Sequence, residues 1–136
     1  MTYSVDSLTS VADCDLMLGA AEKEKNDLSF RKTSLERKQT QFAGNAIEVE
    51  AGLQATTAEL SALDTIIAAL PDGQIKNGNI TRKKRLELKL YLLNQKKGDN
   101  GGIALVDKEF DLGRVIKELE ETDAFITAVK ARKAAL

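Results

Sequence analysis

Between Val11 and Leu70 the chain repeats its apolar and small residues every seven positions. One series holds Cys14, Ala21, Leu28, Leu35, Phe42, Val49, Thr56, Leu63 and Leu70. A second, four residues after each, holds Leu18, Lys25, Lys32, Gln39, Ala46, Leu53, Leu60 and Ile67. Interleaved in this way, the two series form a single seam along one helix. The pattern predicts a helix over about 13–70. Ser10 and Asp13 have the spacing of a capping box, which starts it, with residues 4–12 as a short helical turn or lead-in. Pro71 disfavours helix at Leu70, and Asp72-Gly73 makes a turn, which ends it.

Residues 71–80, with Gly73 and Asn77-Gly78, read as a loop. Thr81 then caps a second helix to about Lys97, with Leu86, Leu90 and Leu93 as its stripe and Leu88, Tyr91 and Leu92 widening it. Residues 98–102 carry three glycines and read as a break. A third helix follows over about 103–136, where Leu105, Leu112, Leu119 and Ile126 recur at seven. The second and third helices together nearly match the first in length. The expected fold is all-α, a single domain over 1–136. It is a long antiparallel, coiled-coil-like hairpin in which one long helix packs against two shorter helices in line.

Charge supports that pairing. Residues 39–71 hold Glu48, Glu50, Glu59 and Asp64 and no base, whereas 72–97 hold eight bases against two acids. Further along, Arg31, Lys32, Arg37 and Lys38 would meet Glu118, Glu120, Glu121 and Asp123. Asp13, Asp15, Glu22 and Glu24 would meet Lys130, Arg132 and Lys133. Matched blocks are what flanking coiled-coil positions show. The expected register pairs numbers totalling 154 on the third helix, as Leu35 with Leu119 and Leu28 with Ile126. On the second helix the total is 153, as Leu63 with Leu90. A third-helix register totalling 147 also fits the stripes.

Composition narrows the chemistry. The 136 residues include no His, no Trp and one Cys, with a net charge of -1. No pair of cysteines, phosphate loop or nucleophile motif is present, so neither an enzyme nor a cofactor or metal site is expected. Residues 98–102 lack the alternating acids and closing Glu of a calcium loop. Met1–Asp6 has no basic and apolar run of a leader, and no segment is apolar enough for a membrane span, so a cytoplasmic protein is expected.

Two surfaces carry the functional reading. The outer face of 43–69 presents Gly44, Ile47, Ala51, Ala55, Ala58 and Ala62 where a solvated helix would carry Lys and Glu. Small residues let another helix approach, so this face is the candidate self- or partner interface. Phe30, Phe110 and Phe125 are expected to point away from the seam as well. The run Arg82, Lys83, Lys84 and Arg85 is the candidate polyanion contact. With only Tyr91 among these bases there is no stacking platform, and the run is better placed to neutralise the acids opposite. The polar seam residues Lys25, Lys32 and Gln39 fix partner and register. The expectation is a structural or assembly protein forming a homo-oligomer, a dimer first, or packing with a protein partner, with neither nucleic acid nor membrane as partner. The runner-up is an adaptor or chaperone-like module for a partner helix, or a weak nucleic-acid binder through 82–97.

Overall fold

The computed structural model describes residues 1–136 and is all-α. A 3₁₀ turn at Val5–Ser7 precedes three helices, α1 (Val11–Ala69), α2 (Gln74–Asn100) and α3 (Gly102–Ala135), and there is no strand. The capping box at the start of α1 forms reciprocally. Asp13 N–H donates to Ser10 Oγ at 3.1 Å, and Ser10 N–H donates to Asp13 Oδ2 at 3.2 Å. Thr9 adds its backbone N–H and its hydroxyl to the same carboxylate oxygen, both at 3.3 Å. At the far end Leu70 N–H closes on Ile67 O, Pro71 follows, and Gly73 takes a φ of 151°, which favours glycine.

Two joints are shorter than the sequence suggests. The expected loop 71–80 shrinks because α2 already begins at Gln74. Thr81 is therefore not a cap. Its hydroxyl donates to Asn77 O at 3.1 Å, and Asn79 Nδ2 donates to Ile75 O at 2.9 Å. These poor helix formers turn their side chains onto the helix's own carbonyls. Half-burial of Lys76, Asn79 and Ile80 supplies the packing that local propensity lacks. The expected break at 98–102 reduces to Gly101, extended between α2 and α3. Gly101 is buried, and a side chain there would run into the Lys97 carbonyl. The position demands glycine.

The chain divides into two compact units, residues 1–38 with 108–136, and residues 39–107. In the first, Cys14, Leu18 and Ala21 of α1 cluster with Ile126 and Val129 of α3. Leu28 and Leu35 cluster with Leu112 and Val115. Asp15 meets Lys133 at 2.5 Å and Lys25 meets Asp123 at 2.7 Å, so the two helices run antiparallel. These pairs total 148, within one residue of the alternative register of 147 and not the preferred 154. The acids at 118–123 therefore lie nearer Lys25 than the Arg31–Lys38 block, and Lys32 pairs instead with Glu36 on its own helix at 3.7 Å. The N-terminal segment adds a third element. Val5, Leu8 and Phe125 pack on the first cluster, and the Tyr3 ring meets Phe125 edge-on at 4.9 Å between centroids. Arg132 Nε donates to Leu8 O at 3.0 Å.

The second unit pairs the rest of α1 with α2, again antiparallel. Asp64 meets Lys83 at 2.6 Å, Glu59 meets Arg82 at 3.8 Å and Glu50 meets Lys97 at 3.9 Å. Leu93 methyls lie 3.3 Å from where a Cβ on Gly52 would stand. The register totals about 147 here too, not 153, so Leu93 packs near Gly52 and not opposite Leu60. Val49, Thr56 and Leu63 are buried on α1, whereas no residue of α2 is. Throughout α1, every position of the two seven-residue series is buried or half-buried.

Candidate interaction surfaces

The small-residue face lies where the repeat places it. Gly44, Ala51, Ala55, Ala58 and Ala62 are exposed, Ile47 is 71% exposed and Ile66 46%. No atom comes within 4 Å of a Cβ built on Gly44. Glu48, Gln54, Ser61 and Thr65 are interspersed on or beside this face, and Glu50, Glu59 and Asp64 lie on the flank that pairs with α2.

The basic segment splits into two faces. Arg82 and Lys83 turn to α1 and pair with Glu59 and Asp64, and Lys83 also reaches Glu87 at 3.9 Å. The Asp64 carboxylate, by hydrogen bond first and charge second, holds the Lys83 ammonium above its ordinary range. Lys84 and Arg85 are exposed and take no part in these pairs. Beside them, one and two turns on, Leu88 and Tyr91 are each 59% exposed and Leu92 52%. The sequence reading made these three part of the buried stripe. They instead form an outer edge, apolar and basic together, because α2 has only α1 to cover it.

Of the three phenylalanines expected to face outward, Phe30 and Phe110 do so, at 79% and 65% exposure. Arg114 stacks its guanidinium over Phe110, 5.7 Å from the ring centroid. Phe125 does not, since the N-terminal segment covers it. That cover creates a groove that the heptad pattern does not reveal. Met17, Leu28 and Phe125 line it, with Glu24, Glu118 and Glu121 also lining it, in a volume of about 490 Å³. The Tyr3 hydroxyl donates to Glu121 Oε1. This bond, more than burial or charge, raises the Tyr3 phenol above its ordinary range. The signal for this groove was a hydrophobic lead-in, Tyr3, Val5 and Leu8, too short to be placed by periodicity.

Cys14 is fully buried in the first cluster. No helix is long and apolar enough to cross a membrane. Comparison with protein-family models, with curated proteins and with solved structures gives no match.

Proposed function

We propose that the chain is a non-enzymatic structural or assembly protein that forms a homo-oligomer, a dimer first, through the small-residue outer face of α1 over residues 43–69. One observation carries this reading: the face is made mainly of small and apolar residues and is uncovered, while the opposite seam of the same helix is filled. Burial of apolar surface contributes roughly 25 cal/mol per Å², so leaving Ile47 and Ile66 in water forgoes stability that a partner restores. Gly44, Ala51 and Ala58, each seven residues from the last, let a second helix come close.

The measurement is mass by light scattering across a concentration series. Wild type is expected to dimerise, and Ala51→Glu with Ala58→Glu to give a folded, helical monomer. A wild type that stays monomeric at high concentration, or a double variant of unchanged mass, would falsify the reading.

The adaptor reading draws on the same face and differs only in its occupant. Of the four-residue run, the polyanion reading keeps Lys84 and Arg85, since Arg82 and Lys83 are engaged with Glu59 and Asp64, and it adds the exposed Lys89 and Lys96.

A further inference from the structure

A second pair of surfaces, separate from the small-residue face, is complementary in charge, and both are apolar at their centres. The groove of the first unit is apolar where Met17, Leu28 and Phe125 line it and acidic at Glu24, Glu118 and Glu121. No basic side chain lines it. The ion pairs of this unit join Lys25 to Asp123, Lys117 to Glu120 and Lys133 to Asp15, and Glu24 and Glu118 take no part in them. The outer edge of α2 has the opposite character. Leu88, Tyr91 and Leu92 stand exposed at helical spacing, and Lys84 and Arg85 precede them by one turn. This is the pattern of a helix that lays apolar anchors into a groove while its charges meet the rim.

We infer that the acidic groove of one copy receives the basic outer edge of α2 from a second copy, with Leu88 and Leu92 as anchors and Lys84 and Arg85 facing Glu24 and Glu118. The groove admits side chains and not a whole helix, so α2 lies across it. The two patches differ, so the contact is head-to-tail: each copy offers a groove to one neighbour and an edge to another. Such contacts close into rings or extend as filaments. Charge on both sides makes association fast and strongly dependent on salt.

The test is run on the full chain carrying Ala51→Glu and Ala58→Glu, so that loss of the small-residue contact does not enter the result. At low salt this protein is expected to self-associate in sedimentation velocity, and at least about tenfold more weakly as salt screens the pairing over a Debye length. Glu24→Lys with Glu118→Lys should weaken self-association at least tenfold, and so should Lys84→Glu with Arg85→Glu. An equimolar mixture of these two variants should associate again, because each groove then finds an edge of opposite charge. Leu88→Gln with Leu92→Gln, both exposed and harmless to the fold, should cause the same loss without altering charge. A protein that is monomeric at low salt overturns the inference, as does a mixture that fails to restore association. Monomers whose basic edge binds vesicles of anionic phospholipid also overturn it and assign α2 to a lipid surface.

Discussion

The two units are built from the same long helix and differ in how many layers cover it. In the first, α3 on one side and the Tyr3–Leu8 segment on another bury Cys14, Leu18, Ala21, Ile126 and Val129, and a second cluster continues through Leu28, Leu35, Leu112 and Val115. In the second, α2 and residues 102–107 of α3 pair with α1, and no third layer covers them. Three positions of α1 are buried there, none of α2, and Leu86, Leu90 and Leu93 are only half-buried. Two helices can shield one stripe each, and a third element is what turns half-burial into burial. Ion pairs do not separate the units: Lys25–Asp123 and Lys133–Asp15 in the first and Lys83–Asp64 and Lys97–Glu50 in the second all join partly exposed side chains, worth about 0–1 kcal/mol each. The second unit also carries Ile47, Ile66, Leu88, Tyr91 and Leu92 on its outside. The thinner unit is the one with the most to gain from a partner.

The sharpest way to break this contrast is one substitution made in each unit. Leu35→Ala empties a buried site and should cost about 2–5 kcal/mol. Leu90→Ala, half-buried, should cost about 1 kcal/mol, the fraction of a leucine's transfer energy that partial burial secures. Urea unfolding midpoints measure both. Equal shifts would mean that the second unit is as well packed as the first.

A pair of phenylalanines reverses the assignment and so separates burial from location. Phe42 belongs to the thin unit but lies on the seam, half-buried. Phe30 belongs to the well-packed unit and is 79% exposed. Phe42→Ala should cost about 2 kcal/mol, below the range for a fully buried ring. Phe30→Ala should stay within about 0.5 kcal/mol. If Phe30→Ala proves the more damaging, coverage of the individual side chain is not what sets stability here.

The heptad series made the seam legible, since seventh-residue spacing on a helix determines which side faces inward whatever the partner. It could not choose between registers one heptad apart. Leu28 and Leu35 meet equally apolar residues whether totals are 154 or 147, and the choice falls to particular contacts such as Asp15 with Lys133. The joints were misjudged for a different reason. Asn77-Gly78-Asn79 and residues 98–102 are poor helix formers, but propensities below about 1 kcal/mol per residue yield to packing. The small-residue face was legible as a gap in the usual Lys and Glu. The acidic groove was not, because it depends on where Tyr3 and its neighbours fold back.

Thr56 gives a smaller effect and one of opposite sign. It sits in the seam of the thin unit at 1% exposure, and its hydroxyl has no hydrogen-bond partner. An unsatisfied buried hydroxyl costs about 1–3 kcal/mol. Thr56→Val keeps the shape and removes the polar atom, so the protein should become about 1 kcal/mol more stable. A destabilised variant would show that the hydroxyl is satisfied in solution.

The smallest effect concerns how each unit's helix begins. Helix α1 opens with the Ser10–Asp13 box, whereas α2 follows Gly73 with no side-chain cap. Hydrogen bonding from the Ser10 side chain, with further bonds from Thr9 and the Ser10 backbone, outweighs desolvation and holds the Asp13 carboxyl below its ordinary range. A carboxyl depressed in the folded state stabilises it above the unfolded pKa, about 3.9. That contribution fades as pH falls below this value and is gone once pH has passed below the lower folded pKa, where both states are protonated. Acid should therefore fray the first turn of α1 through loss of its cap, a route not open to α2. Other carboxylates titrate in the same window, so the informative quantity is the stability difference between wild type and Asp13→Ala. It should be constant near neutral pH and shrink once pH drops below about 4. Amide exchange in the first turn of α1 should rise in parallel. A difference that persists unchanged into strong acid would mean that the Asp13 charge contributes nothing, and that Ser10 alone caps the helix.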